Sequence, residues 1–444
     1  MPKATKVLIL TYYWPPAGGP GVQRWVKFAK YLEEFGVIPT IVCPKNPNYP
    51  VYDPILSKEL PQHLNVHEVP IFEPARILSR LLPQQSKSIS RGMVNTQNPG
   101  LLERFLMSIR GHFFIPDTRK LWIRPAVKYL EHFLEQNSEI DLIITTGPPH
   151  SVHLIGQKIQ QSRGIKWMAD FRDPWTEIYY HKALNLMGWA QCRHLKLEQG
   201  VLEAADRIIT TSSITAESFQ CRTPQPVSVI TNGYDAHDFR TVTHSDEKSK
   251  GKFRIVHVGT LMEPRNPEVL WQALSRLLHQ QRGQELDSFG DDLEIHLTGN
   301  VAKGVIESIQ KLGLGNKLVL VPNCSHDQAI QTMANGQLLL LSERDEEDAR
   351  HIIPAKLFEY LALSAPILAL GPACGSIEPI VRNARAGGYF VQGDLQGVER
   401  YLISTYKAFK EGQGFVDREQ CQVYERKNLT QQLAELIKTM TATQ

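Results

Sequence analysis

The sequence predicts an α/β protein built from two tandem Rossmann-like domains, each with a parallel sheet. Two observations favour this fold class. Short apolar stretches alternate with helical patterns over the first half of the chain, and the alternation starts again near residue 253, as is typical of parallel sheets covered by helices. At 444 residues, the chain is also too long for one hydrophobic core. We expect the two domains to face each other across a cleft that binds the ligand.

The first domain is predicted over residues 1–240. It opens with a strand at 7–10, a glycine-rich loop, a helix over 22–35 and a second strand at 38–43. Residues 44–125 are irregular, proline-bearing and basic, and we interpret them as an insertion with one helix at 101–111. Four further strands separated by helices are predicted at 141–147, 165–173, 206–212 and 227–235.

The polar stretch 244–252 predicts the linker to a second domain, which we place at 241–425. The strands predicted there are 253–261, 293–299, 317–323, 336–342, 365–371 and 388–391, with helices at 267–281 and 395–411. The last helix, at 426–440, is expected to return to the first domain, so residues 426–444 are assigned to it.

Composition restricts the class of function. The chain is 42% hydrophobic and 21% charged, as in a soluble globular protein, and no apolar run approaches the ~18 residues of a membrane span. Six cysteines lie far apart without a C-x-x-C pair, which favours reduced thiols, a cytoplasmic location and no zinc site. The net charge of +3 is too small to indicate a nucleic-acid partner.

The first loop contains the glycine-rich sequence PPAGGPGVQR at 15–24. Gly18, Gly19 and Gly21 would let backbone N–H groups approach an anion closely. Their spacing matches neither the dinucleotide fingerprint nor the P-loop. Anion binding and a plain tight turn are both consistent with these residues.

Two polar stretches end predicted strands of the first domain. The sequence MADFRDPW at 168–175 contains Asp170, Arg172 and Asp173, charges that are costly to bury unless paired. Carboxyl ends of strands are where α/β proteins bind ligands, although an internal Asp–Arg pair would explain the same residues. His150 and His153 follow the preceding strand and could project into the same cleft.

In the second domain, Arg265 follows a strand and a glycine, just before a helix, and could bind phosphate. A solvated loop cation is the alternative. The acidic stretch 343–348 is interpreted as a solvated loop. Neither a D-x-D triplet nor a His/Cys cluster with the spacing of metal ligands occurs in the sequence, so no metal site is predicted.

The stretch IPAKLFEYLA begins a helix with an unusual charge. Pro354 suits the first turn, but Lys356 puts a cation at the positive end of the helix dipole. A bound phosphate would make that placement favourable. Glu359, one turn on, could then accept hydrogen bonds from two ribose hydroxyls. The alternative is that Lys356 and Glu359 form an i,i+3 surface pair, which would stabilise the helix by ~0.2–0.5 kcal/mol.

Five motifs together resemble family 4 of the GT-B glycosyltransferases, which are retaining and use sugar-nucleotide donors. They are PPAGGPGVQR, DFRDPW, ITNGYD, VGTLMEPRNP and IPAKLFEYLALSAPILA, in the expected order over nearly the whole chain. The resemblance implies the GT-B architecture and transfer of a sugar from a nucleotide-sugar donor to a saccharide or lipid-linked acceptor. This reaction would serve cell-surface polysaccharide or glycoconjugate synthesis.

The resemblance also implies roles for individual residues. Glu359 would hold the donor ribose, Lys356 and Arg265 would contact the pyrophosphate, and the glycines at 18–21 would close over the donor phosphates. The family mechanism requires neither metal nor cofactor. We take Asp173, Arg172 and His150 as the catalytic residues of the first domain. At the position of the family's first glutamate this sequence has His351, and Thr146 lies where a histidine is usual.

Two other functions fit the same fold. A nucleotide-sugar epimerase would need acid and base groups around the sugar carbon, which the carboxylates of DFRD and His150 could supply. A non-catalytic binding subunit would explain His351. Residues 76–128 have ten basic and two acidic side chains, hence a net charge of +8. This segment could contact the inner membrane face peripherally, and a solvated basic surface is the alternative.

Overall fold

The computed structural model describes residues 4–73, 111–182, 184–240, 242, 251–279, 286–413, 416 and 419–442. The chain divides into two compact units, Met1–Thr231 with Arg426–Gln444, and Asn232–Glu425. The first boundary lies after Thr231, whereas the sequence places it after residue 240. The reason is that the Tyr234 N–H donates to the Tyr424 carbonyl at 3.1 Å, which ties this stretch to the end of the second unit. The predicted helix at 101–111, apart from Gly111, and most of the predicted linker lie outside the described residues.

The first unit is built on a parallel sheet. Its strands are β1 (Thr5–Leu10), β2 (Val37–Lys45), β3 (Asn65–Pro70), β4 (Leu142–Gly147), β5 (Lys166–Phe171), β6 (Arg207–Thr210) and β7 (Val227–Val229). They pair in the order β3-β2-β1-β4-β5-β6-β7. Consecutive strands are added outward from β1 in both directions, so the order reverses between β1 and β4. Loops at the carboxyl ends of these two strands diverge, and ligands of α/β proteins bind at such switch points.

The strand β3 corrects one sequence interpretation. It lies inside residues 44–125, which were expected to be an irregular insertion, yet it pairs in parallel with β2 over six residues. The sequence NVHEVP has only one fully buried side chain, Val69. An edge strand pairs with a single neighbouring strand and can be covered on one face only, so few of its side chains need to be apolar. The weak pattern therefore hid it.

The second unit repeats the design. Its strands are β8 (Phe253–Val258), β9 (Leu293–Thr298), β10 (Leu318–Val321), β11 (Leu338–Ser342), β12 (Ile367–Leu370) and β13 (Gly387–Phe390). They form a parallel sheet in the order β10-β9-β8-β11-β12-β13. The predicted tandem α/β fold is confirmed, and the switch point of this sheet lies between β8 and β11.

Helices connect the strands of both sheets. In chain order they are α1 (Pro20–Tyr31), α2 (Ile123–Gln136), α3 (Ser151–Arg163), α4 (Tyr179–Lys182), α5 (Gly188–Ala204), α6 (Ser213–Gln220), α7 (Glu268–His279), α8 (Phe289–Asp292), α9 (Lys303–Lys311), α10 (His326–Ala334), α11 (Ala355–Leu361), α12 (Ile377–Asn383), α13 (Leu395–Lys410) and α14 (Arg426–Thr441). Within the described residues, none of them has both the length and the apolar character to cross a bilayer.

Apolar side chains cover both faces of each sheet, as parallel sheets require. In the first unit, Leu433 and Ile437 of α14 are fully buried in the same apolar cluster as Trp25 and Phe28 of α1. The predicted return of the last helix to the first domain is therefore confirmed. The switch points lie between central strands of the two sheets, and the loops that follow these strands carry the candidate site.

Candidate functional site

Arg265 and Glu343 meet at the switch point of the second sheet. Arg265 ends the short helical turn Glu263–Arg265 after β8, and Glu343 directly follows β11. Nε of Arg265 lies 2.9 Å from Oε1 of Glu343. The Ser342 hydroxyl donates to the Arg265 carbonyl at 2.7 Å, which joins the two loops. The topology thus places a paired cation where ligands of this fold class bind.

The Glu343 carboxylate is fully buried, whereas the Arg265 side chain is 34% exposed. Burial raises the pKa of Glu343, while the charge of Arg265 and a hydrogen bond from the Arg344 N–H oppose that rise. Its second oxygen, Oε2, has no hydrogen-bond partner within the described part of the chain. The interpretation of 343–348 as a solvated loop is wrong for Glu343, because this residue continues a buried strand.

His257, in β8, lies beside the same pair. Its Nδ1 is 3.0 Å from the Leu340 carbonyl, so this nitrogen carries the proton and Nε2 is an acceptor. Burial, together with the positive charges of Arg265 and Lys356, lowers the pKa of His257 to about 4, and the hydrogen bond with the Leu340 carbonyl opposes that change. Nε2 has no partner among the described residues. A neutral imidazole with an unused acceptor nitrogen therefore lies near two cations.

Lys356 lies in the first turn of α11, after Pro354, which caps the helix instead of entering its first turn. Its Nζ is 2.5 Å from Oε2 of Glu359, with side chains 28% and 18% exposed. The i,i+3 pair weighed as the alternative is thus present, and it is partly buried. The positive charge of Lys356, at the amino end of the seven-residue helix α11, is therefore balanced by the Glu359 carboxylate. His351 is half-buried in the turn before this helix.

In the first unit, the glycine-rich loop is shaped by its neighbours. Gly19 caps α1 with φ 108° and ψ 164°, a conformation that other residues rarely adopt. A Cβ on Gly18 would lie 2.9 Å from Cβ of Asp53, and one on Gly21 would lie 1.4 Å from Nη1 of Arg172. The absence of a side chain at Gly21 therefore makes room for the Arg172 guanidinium.

Arg172 is held between the loops that follow β1 and β4. Its Nε donates to the Gly147 carbonyl at 3.1 Å, and its Nη2 donates to the Pro148 carbonyl. Burial lowers its pKa, and the negative charges of Asp170 and Asp173 oppose that change. Asp173 is half-buried near it. The structure thus brings Arg172, Asp173 and Gly21 together, at the switch point of the first sheet.

His150 lies at the start of α3, near Arg172. Its ring stacks on Trp175, with centroids 5.0 Å apart and an interplanar angle of 4°. It is 7% exposed, and neither ring nitrogen has a partner within the described ranges. Burial lowers the pKa of His150 well below its usual value, and the positive charges of His153 and Arg172 lower it further. The ring is therefore neutral at pH 7.

Asp170 is structural in this arrangement. It is fully buried and accepts hydrogen bonds from Nη2 of Arg24 at 3.1 Å, Nε1 of Trp25 at 2.7 Å and Oγ1 of Thr146 at 2.8 Å. The internal Asp–Arg pair weighed from the sequence is therefore formed by Asp170 with Arg24, and Thr146 supports it. Arg172 and Asp173, which follow β5, therefore remain as the charged residues at the carboxyl edge of the sheet.

Two residues of the site were missed by sequence reasoning, His257 and Glu343. A signal existed for each. His257 lies between two valines near the end of a predicted buried strand, and Glu343 immediately follows the run LLLLS at 338–342. A polar group next to a buried strand must find a partner or a ligand. Among the described residues, no group of His, Cys, Asp or Glu could hold a metal ion.

Comparison with known proteins identifies the fold. No protein-family model and no curated protein matches the chain. Solved structures do match. Anabaena HepE, in complex with UDP and glucose, is 16% identical with TM-score 0.57, over 98% of this chain and 100% of that one. The sucrose-phosphate synthase of Thermosynechococcus elongatus is 13% identical with TM-score 0.58, over 99% and 100%.

A Listeria monocytogenes protein described as a UDP-N-acetylglucosamine 2-epimerase is 10% identical with TM-score 0.53, over 99% of this chain and 97% of that one. At these identities the similarity shows the fold. The two Rossmann-like units are those of the GT-B architecture, as the sequence predicts.

Proposed function

We propose that this chain is a retaining glycosyltransferase of the family 4 type. It transfers a hexose from a nucleotide-sugar donor to a saccharide or lipid-linked acceptor, in the synthesis of cell-surface polysaccharide or a glycoconjugate. The reaction takes place on the cytoplasmic side of the membrane. HepE, a neighbour with the same fold, is bound to UDP and glucose, which supports a UDP-sugar as the first donor to test.

One observation carries the proposal: Arg265 pairs at 2.9 Å with the fully buried Glu343 at the switch point of the second sheet, and Lys356 adds its positive charge near His257 of the same sheet. Two cations at the carboxyl ends of parallel strands suit a pyrophosphate, which has two negative groups to neutralise. Glu359 then exchanges its contact with Lys356 for two ribose hydroxyls. The free acceptor atoms of His257 and Glu343 are available for hydroxyl donors of the donor sugar.

The proposed chemistry uses these charges in the transition state. As the bond from the sugar to the pyrophosphate breaks, negative charge grows on the leaving diphosphate, and Arg265 and Lys356 stabilise it. The acceptor hydroxyl attacks the same face of the sugar, so the configuration is retained. The two side-chain cations take the part that a divalent metal plays in other transferases. Asp173, Arg172 and His150 of the first unit are proposed to act on the acceptor and the donor phosphates.

A donor panel tests the proposal. UDP, GDP, ADP and their sugars are titrated by calorimetry, and we expect one base to bind selectively. Glu359→Ala should weaken that nucleotide about tenfold or more, because it removes charged hydrogen bonds worth ~1.5–3 kcal/mol. The matched control is Glu307→Ala. Its pair with Lys303 has the same charges at 3.1 Å, but the side chains are 60% and 90% exposed.

Two outcomes would contradict the donor site: no nucleotide binds, or Glu359→Ala binds as tightly as the natural protein. Binding without transfer to any acceptor would favour the non-catalytic subunit instead. Acceptors are screened with the donor that binds, and the anomeric configuration of the product is read by NMR. An inverted product would refute the retaining mechanism.

An epimerase is the second candidate, because the Listeria neighbour shares the fold over nearly the whole chain. An epimerase would invert C2 of its donor in the absence of any acceptor. Incubation with UDP-N-acetylglucosamine alone, followed by proton NMR, separates the two functions. The 2-epimer would support the epimerase, whereas unchanged donor together with transfer to an acceptor supports the glycosyltransferase.

A further inference from the structure

Three large apolar side chains of the first unit project into solvent at one place. Phe113, Met187 and Trp189 are 68%, 63% and 55% exposed, and together we name them the aromatic patch. They come from two distant segments that the fold joins. The Met187 N–H donates to Nε2 of His112 at 2.8 Å, and the ring of His112 lies 5.7 Å from that of Trp189.

The patch is exposed although the chain buries its other tryptophans. The remaining six are at most 3% exposed. Close packing of Gly111 against Leu186, whose Cδ2 lies 2.6 Å from a Cβ placed on that glycine, fixes the first segment to the second. Three such side chains in one place mark a binding surface more often than an accident of folding.

The surroundings of the patch are basic. On α5, Arg193 and Lys196 follow Trp189 by four and seven residues, so the three share one face of the helix, and all are exposed. The opposite face, with Ala190 and Val201, is buried in the unit. Neither Asp nor Glu occurs in residues 178–197 or 118–130 of the sequence. Charge complementarity therefore favours an anionic partner.

We propose that the aromatic patch inserts into the headgroup region of an anionic bilayer, with Arg193 and Lys196 on the lipid phosphates. Trp and Phe beside Lys and Arg are the side chains of membrane interfaces. Three side chains are too few for a stable protein interface, which buries roughly 800 Å² per partner. This refines the membrane contact expected of residues 76–128, of which 76–110 lie outside the described part. It does not depend on sugar transfer.

Vesicle sedimentation, without any donor, tests the proposal. The natural protein should bind equimolar phosphatidylglycerol–phosphatidylcholine vesicles and hardly bind phosphatidylcholine alone, and salt should weaken the binding. The triple variant Phe113→Ser, Met187→Ser, Trp189→Ser should lose roughly tenfold or more of the binding. Leu320→Ser, on the second unit and 47% exposed, is the matched control and should bind normally.

Separate measurements report the contribution of charge and the insertion of Trp189 into the bilayer. Arg193→Gln with Lys196→Gln should remove the preference for phosphatidylglycerol. Because Trp189 is the exposed tryptophan, brominated lipid should quench part of the natural protein's fluorescence and shift its emission to shorter wavelength. Trp189→Phe should abolish both signals and still sediment with the vesicles, since phenylalanine keeps the apolar contact.

The proposal is overturned if the triple variant binds like the natural protein, if neutral vesicles bind equally well, or if brominated lipid leaves the emission unchanged. A dimer on gel filtration that Trp189→Ser dissociates would show instead that the patch joins two copies. Far-ultraviolet circular dichroism and thermal unfolding confirm that each variant is folded. Titration with nucleotide donors is a separate measurement, so a failure to bind any donor would not affect the conclusion about vesicle binding.

Discussion

The internal charge pair of the first unit makes the sharpest stability prediction. Asp170 and Arg24 are both fully buried, and Nη1 of Arg24 also donates to the Thr231 carbonyl at 2.8 Å. Asp170→Asn keeps the shape of the side chain but removes its charge. The guanidinium of Arg24 would then stay buried without a counter-ion, and Trp25 and Thr146 would compete for one remaining acceptor oxygen.

Removing one partner of a buried ion pair costs ~3–5 kcal/mol, because the other charge is left uncompensated. The first unit comprises Met1–Thr231 and Arg426–Gln444, and for a domain of this size each kcal/mol lowers Tm by about 2–4 °C. We therefore expect the free energy of unfolding of this unit to fall by ~3–5 kcal/mol and its Tm by roughly 6–20 °C.

Urea unfolding followed by tryptophan fluorescence measures the loss, and calorimetry gives Tm. The matched control is Glu139→Gln in the same unit. Glu139 pairs with Lys6 at 3.2 Å, but the side chains are 41% and 40% exposed, so its loss should cost less than ~1 kcal/mol. The double variant Arg24→Met, Asp170→Asn removes both charges and should regain part of the lost stability.

Two results would refute this reasoning. One is a cost below ~1 kcal/mol for Asp170→Asn, which would mean that the pair is solvated in a way that its burial does not suggest. The other is a double variant no more stable than Asp170→Asn, which would place the cost in the lost hydrogen bonds of Trp25 and Thr146 and not in the stranded charge.

Three further predictions concern the site and pH. Gly21→Ala should displace the Arg172 guanidinium, whose Nη1 would lie 1.4 Å from the new Cβ, and lower kcat, whereas Gly393→Ala, with nothing within 4 Å, should not. Lys356→Ala should lower kcat about a hundredfold with a smaller change in KM, because Lys356 stabilises the leaving group; a raised KM with unchanged kcat would instead place its contact in ground-state binding. Burial lowers the pKa of His153 to about 3 and that of His257 to about 4. Between pH 6.5 and 4, these two rings are therefore protonated in the unfolded chain and neutral in the folded chain. The free energy of unfolding should therefore decrease as the pH is lowered, by up to ~1.4 kcal/mol per pH unit for each ring. A urea midpoint that stays constant from pH 7 to pH 5 would contradict this prediction.

Much of the fold was predictable because parallel strands buried on both faces read as continuous apolar runs. β4 at Leu142–Gly147 and β9 at Leu293–Thr298 lie within one residue of their predicted bounds. Strand β3 was not predictable, because an edge strand with one buried side chain lacks that signal. The glycine-rich loop was predicted from the sequence, but the sequence did not show why residue 21 must be glycine. It depends on Arg172, which is distant in sequence.

The site was predicted in part. Residues that follow strands, such as Arg265, can be placed at a sheet edge from sequence alone, since carboxyl ends of parallel strands share one edge. The sequence alone cannot show which of the neighbouring acidic residues is buried, because ERDEED at 343–348 contains five of them and they differ mainly in their distance from β11. The strand order decides it. Glu343 is the residue that leaves β11 beside β8.

The structure also changes the physical reason for expecting a ligand. The sequence argument rested on a lysine at a helix dipole, but α11 is short and Glu359 already neutralises Lys356. The stronger reason is the pair of Arg265 with the fully buried Glu343. An ion pair with a buried partner contributes little to stability compared with apolar residues of the same volume, and the buried Glu343 leaves one acceptor oxygen unused. Stability alone therefore does not account for these charges at the switch point, whereas a bound, hydroxyl-rich diphosphate would use both.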